Sequence, residues 1–123
     1  MGGISFMRVL HIITDTNIGG AGRYLVNLIT QPPFDDVDVI VACPDGRLGD
    51  VLDSIGVERV SVSGKDISFS FPFTMELFRL LKRLKPDIVH THSCLSGRLA
   101  AKSLRIPVVY TKHGEVSDLH SPV

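Results

Sequence analysis

Five short apolar runs, each followed by a stretch that reads as a helix or a turn, constrain this chain more than any other feature. The runs are "MRVLHII" (Met7 to Ile13), "VDVIVAC" (Val37 to Cys43), "VERVSVS" (Val57 to Ser63), "DIVHTH" (Asp87 to His92) and "IPVVYTKH" (Ile106 to His113). The short apolar run "MRVLHII" is of the kind that a parallel strand covered on both faces shows, whereas "VERVSVS" alternates. Between them lie "GAGRYLVNLIT", with Ala21, Leu25, Leu28 and Ile29 on one helical face, and "RLGDVLDSIG", ending at a glycine suited to a helix C-terminus. Further on, "TMELFRLLKRLK" places Leu77, Leu80, Leu81 and Leu84 at i, i+3, i+4 and i+7, and "CLSGRLAAKSLR" supplies a fourth helix. Pro32, Pro33 and Pro86 close the helices that precede them. "GKDISFSFPF" reads as a loop carrying Phe69, Phe71 and Phe73.

Strands alternating with helices on short connections form right-handed βαβ units. The expected fold class is α/β: a Rossmann-like parallel sheet with helices on both faces and strand order 3-2-1-4-5. A sixth strand of such a half would fall beyond Val123, so the chain is expected to be part of a longer protein. A stand-alone flavodoxin-like binding domain is the non-enzymatic alternative.

Bulk properties narrow the classes. An apolar content of 44% and a charged content of 21% are ordinary for a globular domain. Thirteen basic residues balance thirteen acidic ones, which gives no electrostatic case for nucleic acid. Cys43 and Cys94 have no metal-type spacing and read as reduced thiols; Met1 to Phe6 lack the marks of a secretory signal. A cytoplasmic protein is expected. Arg79, Lys82, Arg83 and Lys85 beside the phenylalanine loop read either as a solvated face or as a peripheral contact at the inner face of a membrane.

Ligands of open α/β sheets bind beyond the carboxyl ends of the strands, where strand order reverses. That point lies between the first and fourth strands. The first ends in "TDTNIGGAG", where Gly19, Gly20 and Gly22 open a helix whose free N–H groups suit an anion. The alternative is a tight turn packed on the sheet. A dinucleotide fingerprint fits poorly, because Leu25 stands where G-x-G-x-x-G needs a small residue. Asp45, after the second strand, keeps a ribose-binding oxidoreductase domain in view. His90, His92 and His113 fall at the same edge, whereas His11 lies inside the first strand and His120 in the tail. His90 reads as a hydrogen-bonded core histidine, and His92 and His113 as ligand contacts. A zinc site from His90, His92 and His113, and a Cys94–histidine nucleophile pair, are both disfavoured; no metal is expected.

Taken in order, "MRVLHIITDTNIGGAGRYLVNLI" and "LKPDIVHTHSCLSGRLAAKSLRIPVVYTKHG" resemble the N-terminal domain of family 4 glycosyltransferases, retaining enzymes of the two-Rossmann-domain GT-B type. The resemblance covers Met7 to about Glu115. It implies that residues 1–123 are an acceptor-side domain lacking its C-terminal nucleotide-sugar partner, inactive alone. It implies no cofactor beyond the nucleotide-sugar substrate, and a glycan or lipid-linked acceptor. Gly19, Gly20 and Arg23 would face the donor phosphates and the acceptor, His92 the acceptor, and His113 the transferred sugar as the catalytic histidine. Ser93 and Glu115 are further substrate-binding candidates.

Overall fold

The computed structural model describes residues 7–31 and 37–111. Its elements are β1 (Met7–Ile13), α1 (Gly20–Ile29), β2 (Val37–Cys43), α2 (Arg47–Ser54), β3 (Glu58–Ser61), α3 (Phe71–Leu84), β4 (Ile88–His92), α4 (Leu95–Ser103) and β5 (Val108–Thr111). All strand pairs are parallel, in the order β3-β2-β1-β4-β5. This is the Rossmann-like sheet that the apolar runs imply, with β1 at its centre and the order reversing between β1 and β4.

Alternation along each strand divides the core in two. Leu10, Ile12, Ile40, Ala42 and Val89 pack with Leu77, Leu81 of α3 and Ala100, Ala101 of α4. On the other face, Ile13, Val41 and Cys43 pack with Leu25 of α1 and Leu48, Leu52 of α2. Each fully buried leucine contributes about 1.5–3 kcal/mol of transfer free energy. On this second face α1 and α2 cover β1 and β2. The register pairs His90 with Val109 and His92 with Thr111. Val109 is 52% exposed there.

Three local expectations are revised. Helix α3 begins at Phe71, three residues earlier than Thr74, because the Ser70 hydroxyl accepts the Phe73 N–H and Pro72 occupies the first turn, where its missing donor costs nothing. Phe73 is thereby buried in the core, while Phe69 and Phe71 are exposed. In α1 the buried stripe is Ala21, Gly22 and Leu25, with Leu28 exposed. Strand β3 spans four residues, shorter than the alternating run.

Candidate functional site

The β1–α1 loop is built around two contacts from neighbouring loops. Asp66, in the β3–α3 connection, accepts hydrogen bonds from Thr16 N–H (3.0 Å) and Thr16 Oγ1 (2.7 Å), and its own N–H donates to the Thr14 carbonyl at 2.7 Å. The Leu48 N–H donates to the Thr16 carbonyl at 3.0 Å. The loop is thus held from both sides before it delivers the chain to α1.

Helix α1 then starts without local compensation. Its N-cap is Gly19, no side chain caps it, and its first turn carries no acidic residue. The positive end of the helix dipole therefore faces outward unneutralised by its own sequence. Among the described residues neither glycine is explained by packing: a Cβ at Gly19 or Gly20 would meet none of them within 4 Å, whereas one at Gly22 would meet the Leu48 side chain at 3.4 Å. Neither adopts a positive φ. The tight-turn reading holds for Gly22 and not for Gly19 or Gly20, which border open space. Arg23 is exposed in the same turn.

Strand β4 ends at His92, which is only 1% exposed. The His90 ring stacks on it with centroids 4.3 Å apart. His11 Nδ1 lies 3.1 Å from His92 Nε2, and Tyr24 of α1 stands 6.1 Å from the His92 ring. His90 Nε2 bonds Thr111 Oγ1 at 2.7 Å, so it is hydrogen-bonded as expected, but it is half-buried and not a core residue. Burial first, and the neighbouring His90 second, push the His11 imidazole down to about 4. Ser93, at the β4–α4 turn, holds a left-handed φ of 51° and donates its N–H to the Thr111 carbonyl at 2.9 Å. Such a conformation costs a non-glycine residue roughly 1 kcal/mol and recurs at functional turns. His113 and Glu115 lie outside the described residues.

Gly19, Gly20, Arg23, His92 and Ser93 all stand at the β1 and β4 ends of the sheet, where the switch-point argument puts them. Sequence reasoning missed His11, Tyr24 and Asp66. His11 was recoverable: with β1 beside β4, the register sets it directly against His90. Asp66 carries no sequence signal beyond a lysine–aspartate turn, and its role depends on how two loops meet.

The rival sites weaken. Asp45 already accepts from Ser61 Oγ (2.9 Å) and Arg59 (3.3 Å), which leaves it engaged within the fold. Cys94 is buried, caps α4 by accepting the Gly97 N–H, and has its thiol pushed up by burial, the opposite of an activated nucleophile.

A model of the family described as Glycosyltransferase Family 4 matches residues 18–122. The chain belongs to glycosyltransferase family 4. It is 32% identical over 118 residues to UDP-Gal:alpha-D-GlcNAc-diphosphoundecaprenol alpha-1,3-galactosyltransferase of Escherichia coli, an alignment covering 89% of this chain and 30% of that enzyme. Among solved structures, the Anabaena protein HepE in complex with UDP and glucose superposes with a TM-score of 0.68 at 21% identity, over 94% of this chain and 32% of that one. MurG of Acinetobacter baumannii does so with a TM-score of 0.56 at 20% identity, over 86% and 34%. These likenesses give the family 4 chain its fold: one Rossmann-like half of a GT-B glycosyltransferase. The chain spans about a third of the length of the relatives it matches.

Proposed function

We propose that this family 4 domain is the N-terminal, acceptor-binding half of a retaining glycosyltransferase that moves a sugar from a nucleotide-sugar to a glycan or lipid-linked acceptor. The observation that carries the reading is the pair Gly19–Gly20, set at an uncapped helix N-terminus beside open space, with no packing or φ requirement of its own. A backbone so exposed lets a diphosphate or a sugar approach closely. Arg23 adds a cation in the same turn. His92 and Ser93 border the acceptor side. His113, aided by Glu115, contacts the transferred sugar, where preorganised hydrogen bonding stabilises developing charge. The C-terminal domain supplies most donor contacts, and no cofactor is assigned a role.

The E. coli relative's name pairs a UDP-sugar donor with a polyprenyl diphosphate acceptor. That pair, of the kind from which cell-envelope polysaccharides are built, is the first to test here. A membrane-borne acceptor also accords with Phe69 and Phe71, 50% and 68% exposed around the start of α3, and with the exposed Arg79, Lys82 and Arg83 of its later turns, as a peripheral contact at the cytoplasmic face. No helix among the described residues is long and apolar enough to cross a membrane.

The test is sugar transfer by the full-length protein, with UDP-galactose and a GlcNAc-diphospholipid as the first substrates and other nucleotide-sugars following. Gly20→Val is expected to lower kcat/KM by roughly 100-fold, about 3 kcal/mol, at unchanged thermal stability. The 123-residue chain alone is expected to transfer nothing. Transfer by that chain alone, or full activity in Gly20→Val, would overturn the assignment.

A further inference from the structure

We propose that His11, His90 and His92 form a binding site for a divalent transition-metal cation of the Zn2+, Co2+ or Ni2+ class. Each imidazole offers one ligand nitrogen, and the three lie within 4.8 Å of one another. His11 Nδ1 and His92 Nε2 are 3.1 Å apart. Two nitrogens on one tetrahedral zinc, with bonds of about 2.0–2.1 Å, stand about 3.3 Å apart. The pair is therefore already spaced as neighbouring ligands of one ion, which would replace the proton they share.

His90 is the third ligand: it is half-buried, stacks on His92 with ring centroids 4.3 Å apart, and offers a ring nitrogen within 4.8 Å of those of His11 and His92. Its Nε2 is engaged by Thr111 Oγ1, the outer hydrogen bond that typically orients a metal-bound histidine. All three ligands come from β1 and β4, adjacent strands at the sheet centre, so the site is rigid on the side that matters for geometry. Among the described residues the cluster is made of imidazoles alone, which selects a borderline cation over Mg2+ or Ca2+. Three neutral imidazoles leave one tetrahedral position for a further ligand.

This site differs from the disfavoured zinc reading by exchanging His113 for His11; it shares His92 with the sugar-transfer proposal but does not rest on it. The experiment titrates the untagged 123-residue chain with Zn2+ by calorimetry and with Co2+ by visible absorption. One saturable site and the intense d–d bands of tetrahedral Co2+ are expected. His90→Gln, at the half-buried position, is expected to weaken Zn2+ binding at least 10-fold with unchanged far-UV circular dichroism. Thr111→Val is expected to weaken it on the order of 10-fold. His120→Gln is expected to leave it unchanged. Absence of saturable binding, an octahedral Co2+ spectrum, or affinity that survives His90→Gln or falls with His120→Gln would overturn the site.

Discussion

His11 Nδ1 and His92 Nε2 face each other at 3.1 Å across two adjacent parallel strands at the sheet centre, and both residues are buried. Burial, and then His90, hold His11 neutral down to about pH 4, against an ordinary value of 6.5. The unfolded chain therefore binds a proton between these values that the native state refuses. Stability is full above pH 6.5, declines as pH falls through the window, and levels off below 4, a total of ~3 kcal/mol. Urea denaturation of the chain in a chelator, from pH 7.5 to 4.5, should follow this slope. His11→Gln should flatten it; an equal slope in that variant would show that another group is responsible.

Asp66 joins two loops through one carboxylate, with a left-handed φ of 53° at its own backbone. Asp66→Ala loses both bonds to Thr16 and keeps the strain, so a loss of about 1–2 kcal/mol is expected. Asp66→Asn keeps an acceptor and tolerates the backbone, and should lose less than half as much. Thermal melts of the three proteins give the order; equal melting of Asp66→Ala and wild type would mean that Thr16 needs no such anchor.

Most of the architecture was legible because hydrophobic period and strand length report local structure directly. "MRVLHII" and "VDVIVAC" became β1 and β2 with the same bounds. The start of α3 was not, since Pro72 and three phenylalanines read as a loop until Ser70 is seen to cap the helix. The site was half legible. His92 and the glycine turn follow from the switch point, a property of topology. The partnership of His11 with His90 and His92 depends on register and ring orientation, which no pattern within one strand encodes.

Cys43 and Cys94 are buried in opposite cores, and burial pushes both thiols up. Alkylation by iodoacetamide at pH 8 is expected to run on the order of 100-fold slower or more in the native chain than in urea, as the thiolate forms only on opening. Mass spectrometry of peptides containing each cysteine resolves the two. Rapid native labelling of Cys94 would show that the N-terminus of α4 opens locally.

Gly46 and Gly20 should respond oppositely to the same added methyl group. A Cβ at Gly46 would lie 2.8 Å from the Thr16 carbonyl oxygen and 3.1 Å from Thr16 Cβ, against a backbone already fixed by Asp66 and Leu48. Gly46→Ala must push the β1–α1 loop away, and a loss of about 1–3 kcal/mol is expected. A Cβ at Gly20 meets none of the described residues within 4 Å, so Gly20→Ala should change stability by no more than about 0.5 kcal/mol. The functional expectation runs the other way. Gly20→Ala places its methyl where a diphosphate or sugar would approach the helix end, and in the full-length protein it should raise KM for at least one substrate. If Gly20→Ala alters neither stability nor kinetics, the open space beside Gly19 and Gly20 is solvent, and the substrate contact has to be sought nearer Ser93.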